Sequence, residues 1–396
     1  MYTLVVLLVL LIGYGSWEYC SHRSNLKKIP IRIHVNGTRG KSSVTRLIAA
    51  GLRANGISTV AKTTGSAPRV ILEDGTEMTV QRQGRANIIE QVRTIALAAR
   101  RGAKAVVLEC MALQPKLQYL CEHKLIRSTV GVITNARADH LDVMGPTVID
   151  VAKALAGTVP EGTVLVTSEN SKEQLGIFRQ ACEQNRSRLV LADPAEIGIT
   201  DDIMRGFSYV EHPENVALAM LACELAGCDR KKALDGMYGA EPDIGALRVL
   251  KLAFFAKNII FVNALAANDP ESTALVYERV CSLYGDVEKK VVILNCRADR
   301  PHRSVHLGQL LGRLEGLDAV MLTGMGTKLA MESALKAGCP PQLLVQLEGE
   351  PPPVVFERTL AACGSSGLVF AMGNIGSGGA AIAEYFGNRA VPSPEA

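Results

Sequence analysis

The run Gly37-Thr38-Arg39-Gly40-Lys41-Ser42-Ser43 combines three features that polyphosphate chemistry needs. Two glycines permit a turn that gathers backbone N–H groups, Lys41 can reach outer phosphates, and the Ser42 hydroxyl, with Ser43 beside it, can coordinate Mg2+. The first glycine of the usual eight-residue phosphate loop is missing, and Val35 stands in its place. One loop does not hold such a cation, because Mg2+ prefers octahedral oxygen ligands that include one or two carboxylates. Two apolar stretches end in candidates: Glu109 closes the run at 103–110, and Asp139, His140 and Asp142 share the turn that follows 131–136.

Chemistry at those positions requires strand ends to hold them. Strand-like 31–37, 58–64, 103–110 and 128–136 alternate with helix-like 41–56 and 86–102, which predicts a wound α/β domain. The sheet is expected to continue from 162 to about Asp202, with a helix of small and apolar residues at 214–228. From Val249 onward, strand-like 258–266, 289–296, 318–324, 342–349 and 367–374 alternate with helical stretches such as 270–285. The expected fold is thus a mostly parallel α/β ATPase domain over 31–248, followed by a smaller Rossmann-like domain over 249–396. At 396 residues the chain exceeds the roughly 250–300 at which a single core stops growing, which also favours two domains.

Composition narrows the partners. A net charge of +4 without long runs of one sign, and 5% aromatic residues, give no reason to expect nucleic acid. The ten cysteines occur singly in mostly apolar surroundings, without metal-finger spacing; Cys223 and Cys228, the closest pair, are read as helical core. The first seventeen residues carry no charged side chain, and Arg23, Lys27 and Lys28 follow soon after. Residues 1–19 are therefore expected to anchor the chain in a membrane, 20–30 to act as a linker, and the basic residues to keep the rest in the cytoplasm.

The loop, Glu109 and the Asp139–Asp142 turn together resemble the Mur ligase superfamily of ATP-dependent amide ligases. Within it they resemble the poly-gamma-glutamate synthase subunits of the PgsB/CapB type. The family's short Gly-Thr-x-Gly-Lys-[Ser/Thr]-[Ser/Thr] loop matches Gly37 to Ser43, so the departure at Val35 is itself a family feature. The resemblance covers nearly everything after the linker and implies ATP binding at Gly37, Thr38, Arg39, Gly40, Lys41, Ser42 and Ser43. It implies Mg2+ at Ser42, Glu109 and His140, and a second Mg2+ at Lys153 where that lysine is carbamylated; Mn2+ is the alternative metal. Asn215 matches an adenine contact, although His212 stands where the family carries another Asn. Arg248 matches an arginine that ends the central domain and reaches the phosphates, and either Asn263 or Asp269 matches a nucleotide-contacting acid. The stretches 63–77, 84–91, 109–118 and 295–304 resemble the polyglutamate synthases in particular. Barely thirty residues precede the first strand, so no uridine-diphosphate-sugar domain is expected.

The implied reaction joins glutamate to a growing poly-gamma-glutamate chain through an acyl phosphate, with small membrane subunits as partners and homo-oligomerisation left open. Lys41, His140, Lys153 and Arg248 would serve the chemistry. Arg297, Arg300 and Arg303, at an expected strand end of the second domain, are candidates for substrate carboxylates, because guanidinium forks suit that task. His34, and the glycine turn from Met372 to Gly379, are read as structural. The alternatives are a folylpolyglutamate-synthase-like ligase and a membrane-anchored P-loop ATPase that drives a partner.

Overall fold

The stretch Ile31–Asn36, with Ile31, Ile33 and Val35 alternating with Arg32, His34 and Asn36, forms β1, an inner strand of an eight-stranded sheet in the computed structural model. The structure describes residues 2–64, 68–80, 82, 86–207, 209, 211–242, 248–254, 256–265, 270–284 and 286–391. They fall into two compact units, one reaching residue 242 and the other starting at 248, with Tyr209 grouped with the second.

In the first unit the further strands are β2 Thr59–Thr63, β3 Arg69–Ile71, β4 Glu77–Thr79, β5 Ala105–Glu109, β6 Val130–Ile133, β7 Val164–Thr167 and β8 Arg188–Leu191. Their order is β4-β3-β2-β5-β1-β6-β7-β8, parallel except for the β2–β3–β4 meander. Strands β5 and β6 are wholly buried and mostly Val, Ala, Leu and Ile, and β1 and β2 are mostly buried although they carry His34, Asn36, Thr59, Lys62 and Thr63 among their apolar residues. A parallel sheet covered on both faces calls for that burial in place of alternation between buried and exposed positions. The strand ends carry the candidates: β1 leads into Gly37, β5 ends on Glu109, and Val35 pairs with Glu109 in register.

The N-terminal helix α1, Tyr2–Lys28, has exposed side chains from Tyr2 to Cys20 and, among the described residues, is the one helix long and apolar enough to cross a membrane. The segment 20–30, expected as a linker, is instead helical as far as Lys28. No proline or glycine interrupts it before Pro30, and its inner face packs: His22 and Leu26 are buried, and His22 Nε2 donates to the Leu125 carbonyl at 2.8 Å. Arg32 of β1 fastens this end. Its guanidinium donates to the carbonyls of Ile29 at 2.7 Å and Arg127 at 2.8 and 3.0 Å.

The second unit holds β9 Arg248–Phe254, β10 Lys257–Ala264, β11 Lys289–Cys296, β12 Ala319–Gly324, β13 Leu344–Glu348 and β14 Ser366–Gly373. Their order is β13-β12-β11-β14-β10-β9, with only β9 antiparallel. Apolar clusters cover this sheet, one around Leu294, Leu322 and Phe370, another around Phe261, Val369 and Phe386. Arg248, expected to end the first domain, is the first residue of β9 and pairs with Asn263 on the adjacent strand. Its side chain lies outside the described residues, and so does Asp269.

Candidate active site

The turn from Gly37 to Gly40 is shaped by two positive φ angles, +131° at Gly37 and +81° at Gly40, which L side chains rarely adopt. Space imposes the same choice: a β-carbon on Gly37 would meet Thr134, and one on Gly40 would meet the Asn215 amide. Gly40 caps helix α2, Lys41–Ala54, with no side-chain capping bond and no acidic residue in the first turn. The N–H groups of that turn therefore face outward with an uncompensated positive helix end, a seat for phosphate oxygens.

The loop is held by a clamp that the motif itself does not contain. Asn135, just past β6, accepts from Thr38 Oγ1 at 2.6 Å and Arg39 N at 3.1 Å, and its carbonyl accepts from Thr38 N at 3.0 Å. Thr134 Oγ1 donates to the Arg39 carbonyl at 2.5 Å. Thr38 is buried and both of its donors are committed to Asn135, so its part in this conformation is to shape the turn. Lys41 folds back, donating from Nζ to the Gly37 carbonyl at 2.6 Å. Arg39 lies 3.9 Å from Asp139.

Beneath the loop, Ser42 Oγ donates to Glu109 Oε2 at 2.9 Å, and Thr64 N donates to the same oxygen at 2.7 Å. Gln91, from helix α3 at Ile89–Arg100, fixes the Glu109 main chain by donating to its carbonyl at 2.8 Å. Glu109 is 2% exposed, and burial pushes its carboxyl above the ordinary range, against the opposing pull of Lys41, Thr64 and Ser42. A buried carboxylate with a hydroxyl at its side is a donor pair suited to Mg2+, which takes its remaining ligands from phosphate and water.

The other expected ligands stand differently. His140 adopts a left-handed conformation (φ +46°) with its side chain half exposed, 3.9 Å from Asp139. Lys153 is exposed on the helix Val148–Ala156 and pairs with Asp150, one turn earlier, at 3.9 Å. Among the described residues no three His, Cys, Asp or Glu side chains gather at one point, so the structure brings together Ser42 and Glu109 but not the full expected set. Asn215 is buried against the loop, and Glu211 orients it by accepting from its Nδ2 at 2.8 Å. Asn135, Thr134, Gln91 and Glu211 were not singled out from the sequence. The only local signal for them was proximity to the strand ends and to the Asn215 helix.

In the second unit, Arg297 forms a bidentate pair with Asp299 at 2.9 and 2.7 Å, and Arg303 Nη1 donates to Asn374 Oδ1 at 3.2 Å. Arg300 is exposed and caps the helix Pro301–Leu311. A β-carbon on Gly376 would lie 3.1 Å from Arg297 Nη1. The glycine turn from Met372 to Gly379, read from sequence as packing only, therefore lies against this arginine group.

Family models match this chain in two places: the Mur ligase middle domain over 35–190 and the poly-gamma-glutamate synthase CapB C-terminal domain over 249–389. The chain is 37% identical over 369 residues to the capsule biosynthesis protein CapB of Bacillus anthracis, covering 93% of this chain and 78% of that one. It is 33% identical over 378 residues to the PGA synthase CapB of Bacillus subtilis (strain 168), covering 95% of each. In fold it resembles the folylpolyglutamate synthase of Mycobacterium tuberculosis, with a TM-score of 0.68 at 16% identity over 93% of this chain and 94% of that one.

Proposed function

We propose a function from one premise: the chain belongs to the poly-gamma-glutamate synthase CapB family, and its middle domain is of the Mur ligase type. It is an ATP-dependent amide ligase that extends a γ-linked chain of glutamates. The observation that carries this reading is the pairing of a glycine-shaped helix N-terminus with a buried carboxylate at 2.9 Å from Ser42, which suits a nucleotide's phosphates and their metal.

A carboxylate is a poor electrophile, so the γ-carboxylate oxygen of the acceptor first attacks the γ-phosphorus of ATP. The bond to the leaving oxygen breaks, giving ADP and an acyl phosphate. The amine of the next glutamate then attacks the acyl carbon, the C–O bond breaks, phosphate leaves, and the amine gives up a proton. Bringing anions together is the main barrier, and preorganised positive charge lowers it. Lys41 serves the phosphates and the α2 N-terminus cradles them, while Asn215 takes the adenine side. Ser42 and Glu109 would hold Mg2+, or Mn2+ in its place, which supplies charge neutralisation at the transferring phosphoryl group. His140, and Lys153 as a carbamate for a second ion, are further proposed ligands. Arg248 is proposed to reach the phosphates, Asn263 or Asp269 to contact the nucleotide, and Arg297, Arg300 and Arg303 to receive substrate carboxylates.

The helix α1 is proposed to lie in the cell membrane with the catalytic units on the cytoplasmic side, supported by its length, its exposed apolar face and the basic residues that follow. A polymer made at a membrane also argues for small membrane subunits as partners.

Glutamate-dependent ADP release, with hydroxylamine trapping of the acyl phosphate, tests the reaction. Trapped hydroxamate that requires both ATP and glutamate is expected. ATP turnover indifferent to glutamate would instead favour an ATPase that drives a partner, and turnover dependent on a folate acceptor would favour the folylpolyglutamate reading.

A further inference from the structure

A cavity of about 490 Å³ lies at the foot of α1, walled by Arg23 and Lys27 of the helix, Arg32 of β1, Arg127, Glu161 and Thr163. The Arg32 donors are committed to carbonyls, including those of Leu26, Ile29 and Arg127, so this guanidinium builds the wall. Arg23, Lys27 and Arg127 are exposed, and Arg127 is held in a left-handed conformation (φ +51°) at the end of the turn Cys121–Ile126. Three cations thus face one exposed acid, Glu161, because the other wall carboxylate, Glu122, is buried and bound by His34 and Ser128. The surplus positive charge calls for an anion.

The height of the cavity on the helix says which anion. Tyr14, Trp17 and Tyr19 stand where the apolar part of α1 ends, the aromatic girdle that marks a bilayer's edge. Arg23 follows directly: its Nη1 donates to Tyr19 Oη at 3.0 Å, and its guanidinium lies 5.8 Å from that ring. At 1.5 Å per residue, Arg23 sits about 9 Å beyond Trp17. A long arginine reaches back across that gap into the headgroup layer, which extends roughly 5–8 Å outside the hydrocarbon. The level is fixed, because Leu26 and Ile29 are buried and Arg32 ties their carbonyls to the sheet.

We propose that this cavity seats the phosphate of an anionic phospholipid, held between Arg23, Lys27 and Arg127. The inference rests on the reading of α1 as a bilayer helix. A lipid phosphate is delivered at this height by its own acyl chains, alongside the exposed apolar face of the same helix; a soluble anion has no such guide. The seat would set the depth and tilt at which β1, and the phosphate loop that continues from it, meet the membrane.

The sole tryptophan, Trp17, reports on the lipids beside it. The full chain is reconstituted in bilayers of phosphatidylcholine and phosphatidylglycerol, with one or the other brominated on its acyl chains, and Trp17 quenching is measured. Brominated phosphatidylglycerol is expected to quench several-fold more effectively at equal mole fraction, and excess inorganic phosphate to leave that preference intact. K27Q and R127Q, made separately so that a folding defect in one does not decide the matter, are expected each to bring the two lipids toward parity. Equal quenching in the unaltered protein, or a preference kept by both variants, overturns the seat. Loss of preference to inorganic phosphate overturns it in favour of a soluble-anion site. Absence of quenching by either lipid overturns the bilayer reading on which it rests.

Discussion

Ser42 and Glu109 are joined by a 2.9 Å hydrogen bond although they come from different elements, the first turn of α2 and the last residue of β5. The register of β1 on β5, with Val35 opposite Glu109, puts the carboxylate beneath the loop that leaves β1. If this pair is the foothold of the metal, Ser42→Ala should raise the Mg2+ needed for half-maximal ADP release by roughly 10- to 100-fold, the range over which support of metal sites usually acts. Glu109→Gln should remove glutamate-dependent turnover while leaving the fold intact by circular dichroism. An unchanged Mg2+ requirement in both variants would remove the pair from the metal site.

Gly40 has φ +81°, and its missing side chain makes room for Asn215. Gly40→Ala combines a left-handed residue, which costs about 1–2 kcal/mol, with displacement of that amide. The melting temperature is expected to fall, and affinity for a non-hydrolysable ATP analogue to fall more than stability explains. Asn215→Ala in the Gly40→Ala background separates the two effects: partial recovery of stability is expected, because the clash is gone. No recovery would mean that the backbone strain alone matters.

The parts of this site that sequence made legible are those written in consecutive residues. Gly37 to Ser43 announces a glycine-shaped turn at a helix start because the geometry and the motif occupy the same seven positions, and Glu109 is visible because it is the one charged residue closing an apolar strand. The clamp from Asn135 was not legible, since Thr38 and Asn135 lie 97 positions apart and only the β1–β6 pairing brings them together. Glu211 was hidden for another reason, because its task is to orient Asn215 and an acid at a helix start has an ordinary capping role. In the fold, the alternating apolar runs gave the parallel strands. The three-residue strands β3 and β4 carry too few positions for a period to emerge. The helical state of 20–28 was missed because its polar outer face reads as a linker, while the buried contacts of His22 and Leu26 are made to distant segments.

His34, on the strand that enters the loop, is fully buried with its Nδ1 2.8 Å from Glu122. Burial alone would lower the imidazole pKa, but Cys110 and Glu122 outweigh it and raise the value from 6.5 to about 10. A raised folded-state value means that the protonated ring's contribution is complete below pH 6.5 and is lost as the pH climbs through about 10. The stability gap between the unaltered protein and His34→Asn, measured by urea unfolding, should therefore narrow steadily across that window. A gap that stays constant with pH would mean that the pair is not an ion pair.

Arg32 connects the end of α1 to the sheet through carbonyls at Ile29, Ile126 and Arg127. A lysine keeps the charge but lacks the planar fork, so Arg32→Lys leaves the carbonyl oxygens of the buried Ile29 and Ile126 short of donors at about 1–3 kcal/mol, while the exposed Arg127 carbonyl can turn to water. Lower thermal stability is expected, together with faster proteolysis between 26 and 32, while the affinity for nucleotide stays within a small factor. If cleavage there is unchanged, the tie is not what fixes the helix.

Among the arginines of the second unit, Arg297 is engaged by Asp299 and Arg303 by Asn374, whereas Arg300 is exposed at the start of its helix. A guanidinium that receives a substrate carboxylate contributes about 1.5–3 kcal/mol, which corresponds to roughly 10- to 100-fold in apparent affinity. Arg300→Ala should therefore raise the KM for glutamate by that factor and leave the KM for ATP nearly untouched. Arg303→Ala should act less cleanly, because it also frees Asn374, whose carbonyl accepts from Asn295 at 2.6 Å at the root of the glycine turn. A loss of kcat with stability is expected there. Steady-state kinetics with each substrate varied in turn distinguishes these outcomes, and equal changes in both KM values for Arg300→Ala would show that the arginine group does not select carboxylates.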